Sequence, residues 1–428
     1  MIPTVIQTNR PTIRIKGVDV TPLIRSISLT ESLFEPVLKG SFTSYDTADS
    51  RIYQATGALG ELNPIEFSFY SMFNDSPEQT IKPQNLLVYK IEPGYTEGIS
   101  NSYNTGYFAS KELFVNQSRM ISKYYKGTIS DIVQKLCKEI SIKCETSSTK
   151  GQIKKVLPYD SVFGHIITLS KQARSANNPK NVDFVFYQSI DNKFHFKPIS
   201  DFKNKGKKWE YKVVQPSPLL SVNDAKYSVL KHSADHFSPI ENALNGMYSS
   251  EIISFDTTTG DYLSKTHVYS DKKYTKISNK KIVNSEGTFQ QIAQSGVAVR
   301  RFNKQRFLFD CSEEPAGYDE VGHQDDWVGD RMAVMQTVNQ VVLNFVAPGN
   351  SNMKVGDIII FRRPNNEIIS QTEGSNFKEK DVFYSGKYMI TDITHDLVFK
   401  DGVTKDSATA SYTIRVRAIK DSKGDEYA

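Results

Sequence analysis

The sequence predicts a mainly β protein that has two antiparallel β-domains, one near each end of the chain, and two smaller α+β lobes. Three observations indicate this class. Apolar and polar residues alternate with period two in both end regions. Helical spacing is confined to a few short segments between them. The aromatic residues are Tyr (22) and Phe (24) rather than Trp (2), and Tyr and Phe favour half-buried strand faces.

Composition narrows the class of protein further. The chain has 428 residues, too many for one ordinary core, and it is nearly neutral, with 53 Lys and Arg against 48 Asp and Glu. This charge does not indicate a nucleic-acid binder. We expect no membrane insertion, since no apolar run approaches a membrane span, and the first residues lack the features of a signal peptide. Cys137, Cys144 and Cys311 have no metal-ligand spacing and suggest folding in a reducing cytoplasm.

Residues 1–118 are predicted to form the first antiparallel β-domain, closed or nearly closed. Its alternating apolar residues are Ile13 and Ile15, then Ile27 and Leu29, then Ile65, Phe67 and Phe69. Turn signals separate these segments, among them Lys16-Gly17 and Leu62-Asn63-Pro64.

A small α/β lobe is predicted over residues 119–210. Apolar residues at helical spacing predict one helix over Thr128–Ile140, whose first residue is the expected N-cap. A second helix is predicted over Ser161–Arg174, with Asp160 as its cap. Two aromatic strands around an Asp-Asn turn predict a hairpin over 184–196.

The second β-domain is predicted to be split. It comprises residues 211–245 and 330–421, with an inserted lobe at 246–329 and a polar tail at 422–428. A short helix is expected around Asp330–Val338. Its predicted strands include Val341–Val346, Ile358–Phe361, Tyr388–Ile393 and Ser411–Ile419. The inserted lobe is predicted to contain a hairpin of Ile252–Phe255 and Leu263–Tyr269.

Three polar clusters suggest chemistry, and each has a plainer explanation. His232, Asp235 and His236 could hold a metal on a helix, but Pro239 limits any helix there, and a polar surface is favoured. An acidic loop could bind a divalent cation but lacks calcium-loop spacing; it contains Asp319, Glu320, His323, Asp325 and Asp326. A basic and aromatic segment could contact nucleic acid, but a lysine-protected strand edge is favoured; it contains Lys272, Lys273, Tyr274, Lys276, Lys280 and Lys281.

Enzyme signatures are absent from the sequence. It contains no phosphate-binding P-loop, no nucleophile-elbow motif and no zinc-protease helix motif. Paired carboxylates for glycoside cleavage are defined in space, so this alternative stays open. The sequence favours a protein that is not an enzyme and that needs no cofactor or resident metal.

The C-terminal region carries a specific resemblance. Its segments run Val338–Asn350, Met353–Phe361, Tyr384–Ile390, Ile393–His395 and Tyr412–Arg417. This pattern resembles the C-terminal β-barrel of the central baseplate hub protein of contractile-tailed (myovirus) bacteriophages. It is similar, more distantly, to the hub part of type VI secretion spike proteins. The order of barrel, small lobe, split barrel and insertion extends the resemblance over most of the chain.

The resemblance implies an architectural protein of the virion tail baseplate, made in the host cytoplasm. Hub proteins of this family are homotrimers in which each chain supplies two tail-tube-like β-barrels. The resulting pseudo-sixfold ring joins the sixfold tail tube to the threefold central spike and leaves a channel for DNA. The implied partners are the central spike protein, a tail tube or tube-initiator protein and a tape measure protein, with DNA only in transit.

Seven residues are expected to form a structural motif of the second barrel: Gly349, Gly356, Asp357, Ser385, Gly386, Tyr388 and His395. The Gly356-Asp357 and Ser385-Gly386 pairs are predicted turns into strands. His395 is expected to end a strand and to make a structural hydrogen bond rather than to act in catalysis.

Three other functions remain open at this stage. A receptor- or glycan-binding tail protein would display aromatic residues in a shallow groove. A cell-wall-degrading tail enzyme would lyse peptidoglycan. A tail-tube protein proper would have one barrel per chain and form hexamers, whereas two barrels per chain predict trimers.

Overall fold

We analysed a computed structural model of the chain. It describes all residues except 1–5, 10, 47–56, 58, 72–79, 96–101, 204–205, 214–225, 237–238, 257–261, 270–276, 278–297, 305–326, 339, 365–380, 382, 400–408 and 423–428. The described residues are mainly β, as predicted. Every helix among them is too short or too polar to span a lipid bilayer.

The strands in the first half of the chain are β1 (Ile6–Asn9), β2 (Arg14–Ile15), β3 (Val18–Asp19), β4 (Ile24–Ser32), β5 (Lys39–Asp46), β6 (Pro64–Glu66), β7 (Leu86–Tyr95), β8 (Ser102–Ser110), β9 (Met120–Thr128), β10 (Cys144–Thr146), β11 (Gln152–Ser161), β12 (Phe184–Gln188), β13 (Phe194–Pro198) and β14 (Lys208–Lys212). Those in the second half are β15 (Lys231–His236), β16 (Ser249–Asp256), β17 (Tyr262–Val268), β18 (Ala298–Lys304), β19 (Val341–Pro348), β20 (Ile358–Arg362), β21 (Gly386–Val398) and β22 (Thr409–Lys420). The α-helices are α1 (Lys111–Ser118), α2 (Ile129–Glu139), α3 (Val162–Ser170), α4 (Pro239–Leu244) and α5 (Val328–Val338).

Strands from both ends of the chain form one long sheet. Its main order is β15-β19-β22-β21-β4-β5-β8-β7-β6-β2-β3, and β1, β14 and β20 join beside this path. The junction is the antiparallel pairing of β4 with β21, in which Leu29 lies opposite His395. The two predicted β-domains are therefore continuous through their strands, and we find no closed barrel in the described part of the chain.

Two hydrophobic cores lie under these sheets. The larger core unites apolar residues of both chain ends, so that Phe42 and Phe108 share it with Phe361 and Tyr412. The smaller core is formed by apolar residues from the range 121–196 together with Val37. In it, α2 and α3 pack with aromatic residues of β12 and β13. Burial of these apolar faces supplies the main stabilising free energy of both units.

The two predicted central helices are present, with one correction. Thr128 caps α2 as predicted, because its side-chain oxygen accepts a hydrogen bond from the Asp131 amide at 3.2 Å. The N-cap of α3 is Ser161, whose side-chain oxygen accepts a hydrogen bond from the Gly164 amide. The predicted cap was Asp160, so this prediction was wrong by one residue. Helix α3 also ends at Ser170, four residues before the predicted end.

Other sequence predictions agree or differ in detail. The hairpins β12–β13 and β16–β17 form as predicted. The alternation over Ile65, Phe67 and Phe69 gives only the short strand β6 and an isolated bridge from Phe69 to Ile81, although all three side chains are buried. Features that the sequence analysis missed include helices α1 and α4 and the antiparallel pair β9–β11; Pro239 begins α4, since proline is tolerated in the first turn of a helix.

The Thr128 cap gives a simple stability test. We expect Thr128→Ala to reduce the free energy of unfolding by about 1 kcal/mol, because the Asp131 amide loses its acceptor. Thr128→Ser should keep most of this stability, since the hydroxyl is retained. Urea unfolding followed by circular dichroism measures both; equal loss in the two variants would contradict a capping role.

Candidate functional site: a polar face across the long sheet

One face of the long sheet is polar from β15 to β7. Residues directly opposite each other in neighbouring strands point to the same side of a sheet, so the registers define rows across it. The first row runs from β15 to β8 through Lys231, Val346, Arg415, Thr394, Thr30, Lys39 and Ala109. The second row runs from β19 to β7 through Pro348, Thr413, Asp396, Ser28, Ser41, Tyr107 and Lys90. The third row runs from β21 to β7 through Val398, Ser26, Thr43, Thr105 and Glu92. We call these residues the polar face. All except Ala109 and Pro348 are half-buried or exposed, whereas alternate residues on the other side form the larger core.

Hydroxyl groups bind one another across the β4–β21 junction. The Ser28 hydroxyl donates to Asp396 at 2.7 Å, and the hydroxyls of Thr30 and Thr394 are 3.0 Å apart. Opposite-strand hydroxyl pairs of this kind stabilise a sheet. The junction between the two chain ends is thus covered by short side chains, of which Asp396 is the charged one in these two pairs.

Charges on the polar face are interleaved by sign. The Arg415 guanidinium donates twice to the Asp396 carboxylate, at 2.5 and 2.9 Å. Lys90 forms an ion pair with Glu92, and hydrogen bonds from Lys90 and Tyr107 lower the pKa of the Glu92 carboxyl. Neighbouring opposite charges largely cancel each other's field at a distance. The polar face as defined has four basic side chains (Lys231, Arg415, Lys39 and Lys90) and two acidic ones (Asp396 and Glu92), so it is weakly basic, and each acidic side chain is paired with a basic one.

Both ends of the polar face have an open strand edge among the described residues. β15 pairs only with β19. On its other side from β8, β7 is bonded at Leu86 and Leu87 to β6 and at Val88 to the backbone of Leu62 and Asn63, and its residues after Val88 are paired on one side. Unpaired strand edges are templates for adding a strand from another chain.

The predicted motif residues lie around the larger core rather than on the polar face. Gly349 follows β19, and its amide donates to the Tyr412 carbonyl at 3.0 Å. A Cβ atom at this position would lie 2.0 Å from the Tyr412 ring, so only glycine fits. Gly356 has φ +87°, and a Cβ atom there would lie 2.5 Å from the Phe202 ring.

Asp357 fastens the turn before β20 to β14. Its carboxylate accepts from the Trp209 indole at 2.8 Å and from the backbone amides of Lys207 and Lys354 at 3.2 Å each. Burial raises the pKa of this carboxyl, and the hydrogen bonds oppose that shift. The residue holds two strands together.

Ser385, Gly386 and Tyr388 surround a buried lysine that the sequence did not reveal. The Lys420 ammonium donates to the Ser385 carbonyl at 2.8 Å and lies 5.4 Å from the centroid of the Tyr388 ring. Tyr388 is fully buried and donates to the Tyr384 carbonyl at 2.6 Å. Gly386 begins β21 at φ 126°.

His395 lies within β21, three residues before its end, so the prediction that it ends the strand was wrong. Its side chain is fully buried, and its Nδ1 atom is 2.6 Å from the Tyr412 hydroxyl. Burial lowers the pKa of the imidazole to about 3, so the ring is neutral. The neutral ring and the Tyr412 hydroxyl form a buried hydrogen bond.

The three polar clusters have different outcomes. His232, Asp235 and His236 lie on strand β15 rather than on a helix, and strand geometry places the two histidines roughly 13 Å apart. The acidic loop and the lysine segment lie outside the described residues. Among the residues that the structure describes, no group of three or more His, Cys, Asp or Glu side chains has metal-binding proximity.

The polar face was not foreseen as a unit. Its serines and threonines alternate with apolar residues in β4, β5 and β21, which signals a solvent-facing side for each strand. The pairing of β4 with β21 joins residues at least 360 positions apart, and no local pattern encodes it.

Comparison with known proteins identifies the fold. A tail protein from Neisseria meningitidis MC58 aligns over 97% of this chain and 97% of its own, with a TM-score of 0.56 and 9% identity. The 43 kDa tail protein of prophage MuSo2 from Shewanella oneidensis aligns over 96% of this chain and 97% of its own, with a TM-score of 0.51 and 10% identity. No protein-family model matches the chain, and no curated protein sequence is similar to it. The chain has the fold of phage tail proteins, which confirms at the level of fold the resemblance found in its C-terminal sequence.

Proposed function

We propose that the chain is a structural baseplate hub subunit of a contractile phage tail. Three copies form a ring that joins the sixfold tail tube to the threefold central spike and surrounds a channel for DNA. The observation that carries the proposal is the polar face, in a chain with the fold of phage tail proteins. Its short hydroxyl side chains and paired charges suit a channel wall, because a strongly basic wall would retain DNA through its phosphates.

The proposed ring closes through the open strand edges. β15 of one copy meets β7 of the next, so that the polar face continues from copy to copy around the channel. Such contacts are heterologous, and they form a closed ring only when the rotation between copies closes. Each chain supplies two tube-like β-domains, one over residues 1–118 and one over residues 211–245 and 330–421. Three copies therefore place six similar β-domains around the ring, which gives it pseudo-sixfold symmetry. The lobes at 119–210 and 246–329 lie outside the wall in this proposal.

The proposed partners follow from this symmetry. The sixfold side takes the tail tube, or a tube-initiator protein together with a tape measure protein, and the threefold side takes the central spike. The chain acts through interfaces, in the virion tail baseplate, and performs no catalysis.

The oligomeric state tests this proposal. Native mass spectrometry of the purified chain should show homotrimers, and electron micrographs of the same sample should show rings with a central opening. Hexamers with one wall segment per chain would favour a tail-tube protein and contradict the hub. Lysis of peptidoglycan by the pure chain would contradict a purely structural role.

A second candidate is a receptor- or glycan-binding tail protein, which one observation favours. Tyrosines cluster at the β7 end of the polar face: the Tyr89 and Tyr107 rings are 6.2 Å apart, and Tyr103 is partly exposed. Aromatic faces of this kind can stack on sugars or bases. Binding of the monomeric chain to host glycans, lost in Tyr89→Ala, would favour this function over the ring.

A further inference from the structure

Two cysteines lie side by side in the smaller core. Cys137 is in the last turn of α2 and is buried, and Cys144 begins β10 and is half-buried. Both pack in the same apolar cluster, and both are free thiols. A hydrogen bond between the two thiols, together with burial, raises the pKa of the Cys137 thiol.

A tight turn connects the two cysteines. The Ile142 amide donates to the Cys137 carbonyl at 3.0 Å, and the Ser141 amide donates to the Lys138 carbonyl at 3.1 Å. Ser141 has φ +59°. These are the two hydrogen bonds and the left-handed residue of a Schellman turn, which ends a helix. The connection that follows is short, so Cys144 stays beside the end of α2.

A second contact fixes the same helix and strand. The side-chain amide of Gln134 donates to the Thr146 hydroxyl at 2.8 Å. Gln134 lies three residues before Cys137 and therefore on the same face of α2. Thr146 lies two residues after Cys144 and therefore on the same side of β10. Because β10 is also paired with β13, where Cys144 lies opposite Phe194, the backbone of two ordered elements keeps the two thiols together.

We propose that Cys137 and Cys144 form a disulfide bond when the chain meets a small disulfide such as oxidised glutathione. Cys144, the more accessible of the two, loses its proton to solvent and attacks the small disulfide, which releases one glutathione thiolate. Cys137 then loses its proton and attacks the Cys144 sulfur, which releases the second. The cysteine pair is thereby oxidised by two electrons, and the small disulfide is reduced to two thiols.

The surroundings of the pair favour this bond over two other roles. A structural zinc site needs further cysteine or histidine ligands, and no group of three or more such side chains has metal-binding proximity among the described residues. A catalytic cysteine has a lowered pKa, whereas that of the Cys137 thiol is raised. Because the reactive form is the thiolate, we also expect the second step to be slow.

Closure of the bond ties the end of α2 to β10 and so stabilises the small lobe. The thiols stay reduced while the chain folds in a reducing cytoplasm. The occasion for closure rests on the proposed function, because a virion leaves that compartment when its host cell lyses. The bond itself depends only on the two thiols and can be tested on the isolated chain.

Peptide mapping detects the bond directly. Trypsin cuts after the lysines on both sides of the pair, so Cys137 and Cys144 fall in separate peptides, 136–138 and 144–150. The folded chain carrying Cys311→Ser, which removes the third thiol, is treated with oxidised glutathione, denatured with iodoacetamide and digested. Mass spectrometry should show the two peptides linked to each other, and dithiothreitol should separate them.

Thermal unfolding gives an independent measurement. The melting temperature of the oxidised chain should rise by about 5 °C and should return to its first value after reduction, because a disulfide restricts the unfolded chain. Cys144→Ser in the same Cys311→Ser chain is the matched control, since a half-buried position tolerates serine. It should give no linked peptides and no rise with oxidised glutathione.

Three results would overturn the proposal. The first is that both peptides of the oxidised chain remain unlinked and alkylated. The second is that glutathione stays attached to Cys144 as a stable mixed disulfide. The third is that the linked chain melts no higher than the reduced one. None of these results depends on ring formation, so the failure of this inference would leave the proposed function standing.

Discussion

Raising the pH from about 4 to about 9 should destabilise the folded chain by roughly 5 kcal/mol through one buried carboxyl, that of Glu31. Glu31 is the next-to-last residue of β4; its side chain points into the core on the same side as those of Ile27 and Leu29, and it is fully buried. Its Oε1 atom accepts a hydrogen bond from the Ile190 amide at 2.9 Å. Its Oε2 atom is buried with no hydrogen-bond partner among the described residues.

Burial is the main reason that the pKa of Glu31 rises from 4.5 to about 8. Two charged neighbours have opposite effects on this pKa: the nearby Asp191 carboxylate raises it and the Lys354 ammonium lowers it. These two side chains are themselves paired, 3.0 Å apart, between the β12–β13 turn and the turn before β20. Glu31 therefore lies where β4, the β12–β13 turn and the turn before β20 meet.

The direction of the pH effect follows from proton binding. The folded chain holds a proton on Glu31 up to about pH 8, whereas the unfolded chain releases it above about pH 4.5. The stability contributed by this proton is complete below pH 4.5, declines as the pH rises, and is gone above the folded pKa. The shift of about 3.5 pKa units corresponds to roughly 5 kcal/mol.

Glu31→Gln should remove this dependence, because the amide stays neutral and keeps the oxygen that accepts from Ile190. Urea unfolding at a series of pH values should give a falling stability for the parent chain and a nearly flat profile for the variant. The control is Glu35→Gln, since Glu35 forms an exposed ion pair with Lys39 and should change stability by less than about 1 kcal/mol. Parallel profiles for Glu31→Gln and the parent would contradict a protonated buried carboxyl.

Glu31 also shows how far the sequence alone could reach. Every second residue of a strand points to the same side of the sheet. Ile27 and Leu29 alternate with polar residues and so lie on the buried side of β4, and Glu31, two residues further on, lies on the same side. The local signal was therefore present. Its consequence depends on Ile190 and Lys354, which come from distant parts of the chain and are brought to Glu31 only by the fold.

Local patterns predicted local features well. The α2 cap, the aromatic hairpin β12–β13 and the C-terminal strands all depend on residues close in sequence, and each is present. Strand partners are set by long-range pairing, so the polar face could not be derived from spacing. The same holds for buried Lys420, whose acceptor at Ser385 is 35 residues away.

Tyr412→Ala should cost about 4 kcal/mol, because it leaves a cavity at a fully buried position in the larger core. The Tyr412 ring contacts residues from both chain ends: its centroid is 5.4 Å from that of Phe69, and its hydroxyl is 2.6 Å from His395. Gly349 lies against the same ring. Tyr412→Phe keeps the ring and should cost only about 1 kcal/mol for the lost hydrogen bond.

The form of the unfolding curve is as informative as its midpoint. Guanidinium unfolding can be followed by circular dichroism and by the fluorescence of Trp209 and Trp327. The control is Tyr262→Ala, because Tyr262 is exposed and its loss should change the free energy of unfolding by less than about 0.5 kcal/mol. Because strands near both ends share one sheet and one core, Tyr412→Ala should move the whole transition of that core to lower denaturant. If part of the β-sheet circular-dichroism signal of Tyr412→Ala is lost at lower denaturant, while the rest keeps the midpoint of the parent chain, the two β-domains are energetically independent. A single shifted transition would show that the β4–β21 junction couples the two β-domains, which the proposed channel wall requires.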